Sequence, residues 1–472
     1  MTLKKILLFS IGPIGIALIS LISLPIITWF YTIEDVGKIS MLQVVVSFSV
    51  LLFCLGLDQA YVREYHEAKS KPKLFKTVFL PGFLSLSTVI IVLYFIDEMF
   101  ISYWLYDEEN YYLTIISSIC IILAFCSRFL SLILRMEERA LAYSMSQLLP
   151  KLFFVLFILL SICFGLIKDF YNLITANAIS ISIVFLVFIW NTRAELIESV
   201  TIPISKVELT SLLQYGFPLV VGGLASWGLN VMDKLFLRSF STFSELGVYS
   251  VAASVAGVAS IVSSVFNVIW APLVFKWVKE GVDLKRINEV SEHLLAVIYF
   301  IVVLSGLFSW VLPYLLPIEY NSVQYFVTVC LLGPLFYTLS ETTSIGISIS
   351  RRSVFSMLAS LGAVIINMIG NYFLVPKYGA EGAAVSTGLS FWCFYVLRTE
   401  LACKAWRPIP RLRSYVLISV LLLFSILNAF FLRGDFSAIS IAFILFIIGL
   451  FAFKRSIVLI FNLLKKNTCS GD

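Results

Sequence analysis

The chain has 472 residues, of which 60% are hydrophobic and 13% charged, with a mean hydropathy of +0.99 and a formal net charge of +6. Soluble globular proteins carry about 25% charged residues, so a water-soluble fold is excluded: it would leave far too much apolar surface facing solvent. Most of the 34 Lys and Arg fall in short loops on one side of the topology derived below, so the net charge reports orientation through the positive-inside rule rather than a nucleic-acid partner.

A bilayer-spanning helix needs about 20 mainly apolar residues. The opening MTLKKILLFSIGPIGIALISLISLPII has two Lys followed by an apolar run that is too long for a signal peptide and lacks a clear small-residue cleavage site. It reads as the first span, with the N-terminus in the cytoplasm. Apolar runs then place spans near residues 6–30, 39–60, 77–96, 113–134, 145–166, 171–190, 211–236, 246–273, 294–316, 324–349, 354–375, 380–403, 414–432 and 437–460. The sequence therefore predicts an all-α polytopic membrane protein of about 14 transmembrane helices with both termini cytoplasmic. Barrel strands alternate over about ten residues, a pattern these continuous runs do not have. The basic loops, such as REYHEAKSKPKLFK (63–76) and KAWRPIPRLR (404–413), are assigned to the cytoplasm, and short acidic ones such as DEMFISYWLYDEEN (97–110) to the outside.

Two stretches echo each other: YTIEDVGKIS (31–40) and STFSELGVYS (241–250) share Thr, an acid, Gly and Ser in register. Six spans separate them, an even number, so the two copies enter the membrane in the same direction as parallel repeats. Looser echoes link residues 139–149 to 352–362 and 168–178 to 377–387 at nearly the same offset. The expected organisation is a six-helix lobe at 1–208, a second at 209–405, and two additional helices with a tail at 406–472. Repeated lobes that rock about a shared passage suit transport; duplication that merely enlarges a bundle is the competing reading. Pro13, Pro25, Pro218 and Pro272 lie inside or at the ends of spans, where each removes a backbone donor and bends its helix.

Catalytic and metal chemistry find little footing. The His residues, His66 and His293, sit in polar loops, and the eight Cys show no CxxC pair. A phosphate-binding GxxxxGK[ST] loop and an HExxH motif are missing from the sequence. Neither a catalytic residue, a metal nor a cofactor is expected, and the chain is not read as an enzyme. Ionisable residues within spans are costly and face a partner or a cavity. Arg128 in span four and Glu341 in span ten fall at neighbouring equivalent positions of the two lobes. One reading makes Arg128 a site for an anionic substrate and Glu341 one for a coupling cation; the other is a structural ion pair, or an Arg snorkelling to the headgroups. Arg63 at the end of span two and Lys151 beside Pro150 are further candidate cavity cations. Asp233, at the end of span seven, is a second candidate for ion coupling or an interfacial anchor.

The segments LPIITWFYTIEDVGKISMLQVVVSFSVLLFCLGLDQAYVREY (24–65), LQYGFPLVVGGLASWGLNVMDKLFLRSFSTFSELGVYSVA (213–252) and VPKYGAEGAAVSTGLS (375–390) resemble bacterial polysaccharide-biosynthesis exporters. The resemblance is to the O-antigen flippase branch of the multidrug/oligosaccharidyl-lipid/polysaccharide exporter superfamily. It implies translocation of an undecaprenyl-diphosphate-linked oligosaccharide, an O-antigen or capsule repeat unit, from the cytoplasmic to the outer leaflet of the bacterial inner membrane. The implied fold is two six-helix lobes around a cationic cavity. The implied partners are that lipid-linked substrate, membrane lipids, H+ or Na+, and other polysaccharide-assembly proteins. A cation-coupled drug antiporter and a lipid II flippase of the same superfamily stay open, as does a membrane polysaccharide polymerase, which the short outer loops disfavour.

Overall fold

The computed structural model describes residues 3–203, 206–281, 285–350 and 352–458. No strand occurs among them, and the helices follow the apolar runs. The chain divides into two compact units, Met1–Arg238 and Ser239–Asp472. The termini, expected in the cytoplasm, lie outside the described residues at 1–2 and 459–472.

In the first unit α1 (Leu3–Phe30) gives way to α2 (Ile33–Phe53) through a cap written in the sequence. Thr32 is extended and its hydroxyl accepts the Asp35 N–H at 3.2 Å, while the Asp35 carboxylate accepts the Thr32 N–H at 3.2 Å. This reciprocal pair satisfies two of the donors that a helix start leaves open. The span predicted at 39–60 is corrected: its helix starts at Ile33, stops at Phe53, and a short α3 (Leu57–Glu64) follows. Leu55 and Gly56 are the cause, both left-handed, with φ of 53° and 69°. Gly56 rests directly against the backbone of Gly216, so any side chain there would collide with it.

The chain continues through α4 (Lys71–Ile96), α5 (Phe100–Tyr106), α6 (Tyr111–Met136), α7 (Ala140–Cys163), α8 (Phe170–Asn191), α9 (Arg193–Thr201) and α10 (Lys206–Phe240). The short helices α5 and α9 lie in segments that hydropathy leaves as loops. Phe75, Phe79 and Phe83 stack along α4 with centroids 5.4 Å apart, and Phe125 and Phe129 of α6 complete the aromatic core. Lipid tails are as apolar as these rings, so close packing rather than escape from water joins such helices. The outward faces stay apolar, with Phe95 82% and Trp190 70% exposed.

The second unit repeats the opening device. Thr242 is again extended, and its hydroxyl accepts the Glu245 N–H at 3.2 Å to start α11 (Phe243–Ala256). The two echoed stretches are thus both helix starts. A 3₁₀ turn at Gly257–Ala259 leads to α12 (Ser260–Lys279), then α13 (Lys285–Phe308), α14 (Leu312–Leu315) and α15 (Val323–Ile349). The spans expected at 354–375 and 380–403 form one 52-residue run, α16 (Val354–Ala405), bent at Gly379, whose φ of 50° and ψ of −126° are not helical. Next come α17 (Leu412–Leu427), a π turn at Asn428–Leu432, and α18 (Phe436–Ala452). Tyr299 of α13 donates to the Leu445 carbonyl of α18 at 2.8 Å, fastening the C-terminal helix within this unit. Among the described residues, 11 helical runs are long and apolar enough to cross a membrane, and Gly15–Phe30 and Phe436–Ala452 are shorter apolar stretches.

Candidate functional site

The break after α2 builds a cavity of about 620 Å³ inside the first unit. Ending α2 at Phe53 turns Asp58 and Gln59 into the first turn of α3, where a carboxylate is favoured by the helix dipole. From α6, Arg128 reaches the same space, one residue from Phe129 of the aromatic core, and α10 contributes Leu219 and Val220. The lining is therefore mixed: Ser47, Asp58, Gln59 and Arg128 are polar, and Val50, Leu51, Leu219 and Val220 are apolar. Arg128 Nη2 donates to Asp58 Oδ2 at 2.7 Å, and Gln59 Nε2 donates to the same oxygen at 3.0 Å. The Asp58 side chain is 12% exposed and that of Arg128 35%, so the cation is the more accessible partner.

The other sequence-selected residues of this unit lie elsewhere. Arg63, on α3, stacks over the Tyr215 ring at 4.3 Å and pairs with Glu64 at 3.5 Å, with 57% of its side chain exposed. It is not among the residues lining the cavity. Lys151, on α7, sits 6.0 Å over the Phe154 ring. Lys234 donates to Ser40 of α2 at 2.8 Å, with the buried Asp233 as its electrostatic neighbour. Neither Lys151 nor Asp233 lines the cavity. Asp233 is buried within the unit.

Glu341 belongs to the second unit and has its own partner. Arg398 of α16 donates to Glu341 Oε1 at 2.6 Å and to Ser340 Oγ at 2.9 Å. Its guanidinium lies 5.3 Å from the Phe394 ring and 5.8 Å from Tyr337, and those two rings are stacked. Around this pair α15 is packed with buried hydroxyls: Thr342 with Ser291 at 3.0 Å, Thr343 with Thr399 at 2.8 Å, and Thr338 with Ser263. Arg128 and Glu341 each form an ion pair within their own unit.

Sequence reasoning missed Asp58 and Arg398 as partners. The signal for Asp58 was the Leu-Gly pair just before it, which ends a helix short of its apolar run. For Arg398 it was the rule that a charge within a span needs a counter-charge, with Glu341 unassigned.

The cavity thus combines one partly exposed Arg with polar and apolar lining, in a unit whose surface carries exposed aromatic rings. The sequence from residue 2 to 278 matches the model of a family described as polysaccharide biosynthesis protein. The chain belongs to that family. Its fold is that of a lipid II flippase, MurJ, in an inward closed conformation, at TM-score 0.69 and 16% identity over 96% of this chain and 100% of that one. A MATE transporter of Vibrio cholerae, VcmN, superposes at TM-score 0.54 and 13% identity over 88% of this chain and 97% of its own. An uncharacterised membrane protein of Methanocaldococcus jannaschii is 21% identical over 268 residues, 55% of this chain and 52% of that relative, so the match spans about half of the curated relative's length. This family member is a multi-pass membrane protein with the flippase and MATE fold.

Proposed function

We propose that the protein is a flippase that moves an undecaprenyl-diphosphate-linked oligosaccharide, an O-antigen or capsule repeat unit, from the cytoplasmic to the outer leaflet by alternating access. It is read as a transporter and not an enzyme. The observation that carries this reading is the position of Arg128 in the lining of a cavity with both polar and apolar residues. A diphosphate leaving water needs compensating positive charge and hydrogen bonds, and Arg128 would supply both beside apolar lining suited to a lipid. Membership in a polysaccharide-biosynthesis family supports the substrate class. The finer parts of the proposal are fourteen crossings, with the kink of α16 separating two and the shorter apolar stretches supplying two more; cytoplasmic termini; and residence in the bacterial inner membrane. The duplicated lobes 1–208 and 209–405, with residues 406–472 appended, also belong to it. So does coupling to H+ or Na+, with Glu341 and Asp233 as the acidic candidates and Arg63 and Lys151 as supporting cations on the path.

The likeness in fold to MurJ supports a second reading, a lipid II flippase. Deletion of the gene followed by analysis of membrane lipids separates the two. The first reading expects a lipid-linked repeat unit to accumulate on the inner leaflet with loss of surface polymer. Accumulation of lipid II would select the second, and unchanged lipids with normal surface polymer would discard both.

A further inference from the structure

The two Arg–carboxylate pairs are built differently. Arg398 is enclosed: its side chain is 13% exposed, two acceptors hold one nitrogen, and stacked rings cover it. Arg128 is open. Among the described residues, Asp58 is the sole hydrogen-bond acceptor it reaches, through Nη2 alone. A guanidinium has five N–H donors in a planar fork that fits phosphate oxygens bidentately, so most of its donors are left for the cavity. Asp58 is also held independently of Arg128, by Gln59.

We propose that Asp58 is a positioning residue, an internal counter-anion that competes for Arg128 and raises the threshold for occupying it, so that a diphosphate group takes the site at concentrations where a singly charged phosphodiester does not. This rests on the reading of Arg128 as the substrate's cation. A carboxylate paired end-on with an accessible guanidinium is displaced only by an anion that offers more charge and more acceptor oxygens. A diphosphate does so. The phosphodiester of an ordinary membrane lipid offers one charge, little more than Asp58 already provides. The pair therefore keeps bulk headgroups from holding the site while the cargo's headgroup takes it.

The test uses the full-length protein in nanodiscs, with binding of inorganic diphosphate and of dimethyl phosphate, a phosphodiester mimic, measured by calorimetry. The native chain is expected to prefer diphosphate. Asp58→Asn removes the competitor and is expected to tighten both anions by up to about fivefold, the ratio set by one ion pair of modest strength. Asp58→Glu keeps the pair and is expected to preserve the native affinities, which a purely structural role of Asp58 does not require. Should Asp58→Asn not fold, Gln59→Leu loosens the same carboxylate and is expected to shift both affinities in the same direction. Unchanged affinities in the folded variants overturn the inference. Arg128→Gln separates the levels: if it abolishes diphosphate binding while Asp58→Asn changes nothing, only the role of Asp58 fails. If it binds as the native chain does, or if neither the native chain nor Asp58→Asn binds either anion, the reading of Arg128 fails as well. A polyprenyl diphosphate in the nanodisc is expected to compete with inorganic diphosphate, and absence of that competition overturns the lipid headgroup as its source.

Discussion

Glu245, in the first turn of α11, accepts the backbone N–H of Ala380 at 2.8 Å, 135 residues later in the chain. The bond closes on the bend of α16, where Gly379 departs from helical geometry and presses against the Glu245 carboxylate. One acidic side chain at a capped helix start thus satisfies a backbone donor that a kink sets free. Continuous α-helix would have bonded that donor internally.

Gly379→Ala should therefore destabilise on two counts, a strained backbone and a collision with Glu245, at a cost of about 1–3 kcal/mol. Glu245→Ala should cost a similar amount, roughly 1.5–3 kcal/mol for a lost bond to a charged acceptor. Glu245→Gln keeps an acceptor and should lose less. Thermal unfolding of the purified variants in detergent checks the order, and an unaltered midpoint in Gly379→Ala would show that the bend is not needed.

The enclosed pair of the second unit should also contribute to stability. Arg398→Ala and Glu341→Ala each strand a partner in a largely buried setting, and each should cost roughly 2–4 kcal/mol. The double variant should lose less than the sum, because the second change removes the stranded charge. A double-mutant cycle on unfolding midpoints measures the coupling. Additive losses would mean that the two side chains act separately.

Arg128→Ala should abolish delivery of surface glycan while the protein still accumulates in the membrane, because its pair with Asp58 is partly exposed and its stability share is modest. Surface-polymer staining alongside a blot for the protein is the check. Normal glycan in that variant would discard the role assigned to Arg128.

Outside the spans, Glu137 at the end of α6 has its carboxyl pushed up from 4.5, first by burial and then by a shared hydrogen bond with Glu195, against a smaller opposing effect of Arg139. Its folded state binds the proton more tightly than the unfolded chain does. Below the unfolded value both states are protonated and nothing is lost. As pH rises above it, the unfolded chain releases its proton first, so stability falls until the folded value is passed. Glu137→Gln should remove this slope, so its unfolding midpoint should rise relative to the native chain between about pH 4 and neutrality. Parallel pH profiles of the two proteins would contradict the assignment.

What the sequence by itself determined is the class of the molecule and much of its helical layout. Length and hydropathy of the runs decide that, because in lipid every backbone group must be bonded within its own segment. The echo at residues 31–40 and 241–250 was legible for the same local reason, since Thr32 with Asp35 and Thr242 with Glu245 are caps made within four residues. Tertiary structure alone decided where the helices break and which charges meet. The stop at Leu55–Gly56 brings the chain close to Gly216, and the pairs Arg128–Asp58 and Arg398–Glu341 join residues 70 and 57 positions apart. Hydropathy carries no record of which face a helix turns to its neighbour, and a charge inside the bilayer announces that it needs a partner without saying which.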